Sequence, residues 1–159
     1  MAGPRRRARE IALQILVQMD VNPELAADAA VRLYFDHLAG AGDDDADDAD
    51  ADDAAPRGAA AFDRQLVGEL VQGVAARRAD IDAGLQELSR NWRVERMALV
   101  ERNVIRIALY ELKLAAAPVP VNVAINEAIE LTKRYGTAEG AAFVNGLLDR
   151  AVSELVLRR

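Results

Sequence analysis

The chain has no cysteine, which excludes disulfides, thiolate metal ligands and thiol nucleophiles, and fits a reducing cytoplasm. His37 is the only histidine, so no pair of imidazoles can build a metal or acid–base centre. Gly-rich phosphate loops of the P-loop or dinucleotide type are missing, and no catalytic constellation takes their place. No apolar run approaches the ~18 residues that a membrane span requires. At the N-terminus RRRARE precedes IALQILVQM in the order of a signal peptide. However, Glu10, Gln14 and Gln18 interrupt the run and leave amphipathic spacing, so the segment reads as a helix of a soluble protein. Aromatic residues are scarce, at 4 % against 52 % hydrophobic, and much of the apolar content is alanine. That balance suits close-packed helices better than a β-sandwich. Neither a cofactor nor a metal is expected, nor an enzyme.

What is present begins with charge. The formal net charge of −6 misleads, because DDDADDADADD at residues 43–53 holds eight aspartates and no basic residue. Setting those eight aside leaves 20 basic residues against 18 acidic ones, so the remainder can carry a basic face. At 159 residues one domain is expected over residues 1–159, interrupted by this acidic insert at about residues 40–60. Glycine, proline and like charge there cannot bury enough apolar surface to offset ordering entropy. An acidic disordered loop and a nucleic-acid mimic competing for a basic site both stay open.

Seven helices are legible from three- and four-residue apolar spacing. The first covers about residues 4–20, with Pro4 in its opening turn and Ala8, Ala12, Ile15, Leu16 and Met19 on one face. Pro23 can open a second, placing Val31, Tyr34, Phe35 and Leu38 inward. A third spans about 61–76 and a fourth about 79–89; close helix approach would compensate for Gly68, Gly73 and Gly84. Trp92 is expected to plug a seam between helical groups. The fifth helix, about 96–115, has so broad an apolar face that it should be central, and Pro118 and Pro120 end it. The sixth, about 122–135, would be capped by Gly136, and Thr137 would cap the seventh, along which Phe143, Val144, Leu147, Leu148, Ala151 and Leu155 run. No segment alternates as a strand.

The main chemical candidate is the cluster Arg5, Arg6, Arg7 and Arg9. Cations at a helix N-terminus oppose its dipole at a cost of about 0.3–1 kcal/mol each, so four of them serve stability poorly. A docked phosphate would gain both guanidinium forks and free backbone N–H groups. A solvated basic tail is the alternative, and spacing alone does not choose. Phe143 could stack on an unpaired base, although periodicity places it in the core. Asn145 reads as a buried, locally satisfied amide, and Glu127 with Glu130 as a solvated helical face.

Five segments carry a further signal by their order. RRRARE with ALQ at the N-terminus, LVQGV at 70–74, RNVIRIALYEL at 102–112, VAINEAIELTKRYG at 123–136 and FVNGLLD at 143–149 resemble the NusB family of bacterial transcription antitermination factors. The likeness covers nearly the whole chain outside the acidic insert. It implies an all-α fold of about seven helices in two packed three-helix groups. It also implies binding to boxA, a single-stranded element of ribosomal RNA transcripts, together with the ribosomal protein NusE. The complex would load onto RNA polymerase with other Nus factors and suppress premature termination in ribosomal RNA operons. By position the resemblance carries Arg5, Arg6, Arg7 and Arg9 onto the family's RNA-binding motif, and Phe143 onto an aromatic of the same surface. Glu101 and Glu139 fall on acidic positions at or near the NusE-facing side. Val17 stands where the family often has tyrosine, so that part of the partner surface differs. The aspartate-rich insert is not typical of the family, and its place between the second and third helices bears on RNA access.

Three rival readings keep the same fold. The helical module also fronts a ribosomal RNA cytosine methyltransferase, but the chain ends at Arg159 with no Gly-rich cofactor domain. A homodimer that buries the arginine face and a small all-helical enzyme acting on an anion complete the set.

Overall fold

The computed structural model describes residues 3–41, 61–117 and 119–156. Among them are seven helices and no strand: α1 (Pro4–Val21), α2 (Ala27–Ala41), α3 (Arg64–Ala76), α4 (Arg78–Ser89), α5 (Leu99–Leu109), α6 (Val121–Tyr135) and α7 (Ala138–Ala151). A 3-10 turn at Val94–Arg96 leads into α5, and wider π turns at Tyr110–Leu114 and Val152–Val156 extend α5 and α7. The acidic segment lies outside the described residues, as do the side chains of Leu38 and Leu155. No described helix is long and apolar enough to cross a membrane.

Local chemistry sets the helix ends. Pro4 occupies the first turn of α1, and the Asn22 amide closes its far end by donating to the Gln18 carbonyl at 3.1 Å. Pro23 does not open α2. Pro23 and Glu24 form a turn, with Leu25 N–H on the Asn22 carbonyl at 3.0 Å, and Leu25 packs against the core before α2 begins. The Asp63 carboxylate caps α3 by accepting from Leu66 N–H at 3.0 Å, which sets its start later than apolar spacing suggested. Phe62 therefore precedes that helix and stacks on Phe35, ring centroids 5.9 Å apart. Thr137 caps α7 through Gly140 N–H at 2.9 Å, and Gly136 follows the last residue of α6.

Helices α1–α3 pack on one another as one group and α5–α7 as the other, with α4 against α5 and α7. Helix α5 joins the groups: it touches α1, α3, α4, α6 and α7, and residues Asn103–Leu109 are buried around its whole circumference. Of the three glycines in α3 and α4, only Gly73 marks a close approach, since a β-carbon there would overlap the Tyr110 ring. Gly68 and Gly84 face open space, so the expectation of tight packing at those two is corrected.

Polar residues also hold the seam. Asp20, at the end of α1 with its side chain 2 % exposed, accepts from Arg102 and Asn103 and pairs with Arg106 at 2.9 Å and Arg78 at 3.2 Å. Arg106 then reaches Asp82 on α4 at 2.7 Å. No buried side-chain donor or acceptor among the described residues lacks a partner. Helices α1, α4 and α5 are thus clamped by a hydrogen-bonded ion cluster.

Trp92 does not plug a seam. Its side chain is 55 % exposed, and the loop is held by its backbone: the Trp92 carbonyl accepts from Ser89 Oγ at 2.8 Å and Gln86 Nε2 at 3.1 Å. With the backbone carrying the connection, the indole is left outside. Asn145 is exposed as well, so its reading as a buried amide is also corrected.

Candidate nucleic-acid interface

Helix α1 projects its arginines in different directions. Arg5 is exposed. Arg6 is half-exposed and grips Glu127 on α6 with its side-on fork, Nε at 3.0 Å and Nη2 at 2.9 Å. Arg7 donates from Nη1 to Glu10 at 2.8 Å. Arg9 turns inward, is 4 % exposed, and meets the buried Glu111 carboxylate with Nε and Nη2, both at 2.8 Å.

Arg5 and Arg9 therefore do not share a presented face: Arg9 is withdrawn from the surface on which Arg5 stands. The reason is that α1 is buried along most of its length from Ala8 onward, and Glu111 supplies a matched counter-charge inside. The Glu127 hydrogen bond and charge raise the Arg6 pKa above its ordinary value. The Glu10 hydrogen bond raises that of Arg7. For Arg9, burial works in the lowering direction, but the hydrogen bond and charge of Glu111 outweigh it and the pKa is raised. All three stay cationic.

Arg134, in the last turn of α6, was missed by sequence reasoning. It is 59 % exposed on its side chain, yet its Nη1 reaches back to Glu10 at 2.8 Å, beside Arg7. Its only sequence signal was KRYG at a helix end, where cations are common for dipole reasons alone. Four surface arginines, Arg5, Arg6, Arg7 and Arg134, against Glu10 and Glu127 leave this patch with a net charge of +2.

Phe143 stands apart from the arginines. It is 38 % exposed, not in the core, and lines a groove of about 290 Å³ with Trp92, Met97, Glu101, Thr137 and Glu139. Glu101 is buried at the groove floor, and a β-carbon on Gly140 would overlap its carboxylate. Glu139 is exposed at the start of α7. The structure thus gathers Phe143 with Glu101 and Glu139. Val17, half-buried against the core on α1, does not line the groove. The last turn of α6 spans the two regions, with Arg134 held at Glu10 and Gly136 beside the Glu101 carboxylate.

Residues 6–153 match the sequence profile of the NusB family. The chain belongs to the NusB family. A transcription antitermination protein NusB from Anaeromyxobacter sp. (strain Fw109-5) is 43 % identical over 158 residues, covering 98 % of this chain and 94 % of that protein. Among solved structures, T. maritima NusB superposes with a TM-score of 0.72 at 28 % identity, over 97 % of this chain and 94 % of the other. A crystal structure of antitermination factors NusB and NusE in complex with dsRNA aligns with a TM-score of 0.66 over 94 % of this chain and 96 % of that one. At 20 % identity that likeness is one of fold. The expected all-α NusB-like architecture, about seven helices in two packed three-helix groups, is the one observed.

Proposed function

We propose that this chain is a transcription antitermination factor. It binds boxA RNA of ribosomal RNA transcripts together with NusE, and prevents premature termination in ribosomal RNA operons. The observation that carries the reading is the patch of exposed arginines at the start of α1 and the end of α6, in a chain whose relatives are named antitermination proteins. Arg5, Arg6 and Arg7 hold the RNA backbone, and such phosphate contacts position the strand without reading its bases. Arg9 supports them from inside. Phe143, exposed on the groove, offers a stacking surface to an unpaired base. The groove with Glu139 at its edge and Glu101 at its floor faces NusE, with Val17 at a more distant edge, and the partner adds sequence preference and affinity. One domain over residues 1–159 does this work in the cytoplasm as an adaptor between RNA, NusE and the polymerase-bound Nus factors.

The test is fluorescence anisotropy of labelled boxA RNA and a scrambled strand, with and without NusE, using the wild-type chain and the Arg5→Ala/Arg6→Ala variant. Selective binding that NusE tightens and the substitutions weaken is the expected result. Equal affinity for both strands, or no loss on substitution, would remove the assignment and leave the fold standing.

A further inference from the structure

Glu10 is 2 % exposed, and its two oxygens are taken by arginines from different helices. Oε2 accepts from Arg7 Nη1 of α1, and Oε1 from Arg134 Nη1 of α6, both at 2.8 Å. The manner of pairing separates these arginines from their neighbours. Arg6 and Arg9 each spend the side-on Nε/Nη2 fork on a carboxylate. Arg7 and Arg134 each give Glu10 a single Nη1 bond, and among the described residues their Nε/Nη2 forks have no acceptor. That fork is the edge of a guanidinium that matches a phosphate in two parallel hydrogen bonds. Side-chain exposures of 28 % for Arg7 and 59 % for Arg134 leave both forks within reach of solvent. Arg134 is steadied further by the Tyr135 ring, 5.6 Å from its guanidinium carbon.

We propose that Arg7 and Arg134 form a two-pronged clamp for backbone phosphate of the bound RNA, with Glu10 as the positioning residue that fixes their spacing across α1 and α6. The inference rests on the RNA-binding reading above and adds to it a residue from α6. Two cations brought together without a counter-charge repel one another. A buried carboxylate between them removes that repulsion and still leaves the trio at +1. Because each side chain is already tethered to Glu10 by one hydrogen bond, less rotamer freedom is lost when phosphate docks.

The experiment measures the salt dependence of binding of labelled boxA RNA by the full chain with NusE, for wild type, Arg134→Ala, Arg134→Lys, Glu10→Gln and Arg5→Ala/Arg6→Ala. Loss of one phosphate contact lowers the slope of log affinity against log salt by ~0.7 for a single strand. Arg134→Ala is expected to show that change, with affinity down about three- to fivefold. Arg134→Lys should restore the slope and only part of the affinity, because a point charge lacks the fork. Glu10→Gln gives the sharpest result. Simple charge summation says that deleting a negative group tightens RNA binding, whereas positioning says that it weakens it. Circular dichroism confirms that Glu10→Gln is folded, and the surface variant Arg134→Ala carries the test should it not be. A wild-type slope in Arg134→Ala, or tighter binding by Glu10→Gln, overturns the clamp. If in addition Arg5→Ala/Arg6→Ala weakens binding, the RNA reading survives without it. Failure of the wild-type chain to bind RNA at all overturns both.

Discussion

Arg9 and Glu111, 102 positions apart, meet side by side inside the protein, with two parallel hydrogen bonds of 2.8 Å and almost no exposure of either side chain. Removing one partner of such a pair strands the other charge. Arg9→Ala should therefore cost ~3–5 kcal/mol of stability, while Arg9→Met with Glu111→Leu, which removes both charges, should recover most of it. Urea denaturation midpoints check this. A single variant as stable as wild type would show that the pair is open to water.

Asp20 predicts an acid response. Burial works to raise its pKa, but hydrogen bonds from Asn103 and Arg102 and the charges of Arg106 and Arg102 outweigh burial, so it lies below its ordinary 3.8. A folded pKa below the unfolded one means that the stabilisation is complete above about pH 4 and is lost as pH falls through the folded value. Asp20→Asn should be less stable at neutral pH, and its stability should decline less as pH falls below about 4. Parallel acid limbs for the two proteins would contradict this.

The three glycines of α3 and α4 make a matched series. Gly68→Ala and Gly84→Ala meet open space and should each stabilise by ~0.5–1 kcal/mol through helix propensity. Gly73→Ala gains the same propensity but drives a methyl into the Tyr110 ring, and overpacking of about 1–3 kcal/mol should dominate. Thermal unfolding of the three variants should give two rises in Tm and one fall.

Trp92 is the only tryptophan, so its fluorescence reports one place. With the indole 55 % exposed, the free protein should emit at the long wavelength of a hydrated indole and be quenched readily by acrylamide. A partner seated on the Phe143 groove, which Trp92 also lines, should shift that emission to shorter wavelength. Blue, shielded emission from the free protein would return Trp92 to the interior.

Apolar spacing read the helices well where a side chain could cap them: Thr137 and Pro4 were visible as chemistry before they were visible as geometry. It read less well where a polar residue is buried. Arg106 and Glu111 lie within the strongest apolar stripe of the chain, and periodicity treats such residues as solvent-facing by default. Their partners, Asp82 and Asp20 for one and Arg9 for the other, come from distant segments. Trp92 and Phe143 failed in the opposite sense. Their size and apolar character point inward, but the loop holding Trp92 is satisfied through its carbonyl, and Phe143 faces a groove.

By itself the sequence determined the helical class, the approximate course of seven helices, the central place of α5 and, through five ordered segments, the family. These follow from information local to each segment: capping groups, propensities and the period of the apolar face. Only the tertiary structure decided which arginines look outward. Arg9 is withdrawn by Glu111, and Arg134 is brought beside Arg7 by Glu10, across 124 positions of chain in the latter case. A helical period states which residues share a face, but not which neighbour covers that face or what charge the neighbour brings. That is settled when the helices pack and buried charges such as Arg9 and Glu10 meet their partners.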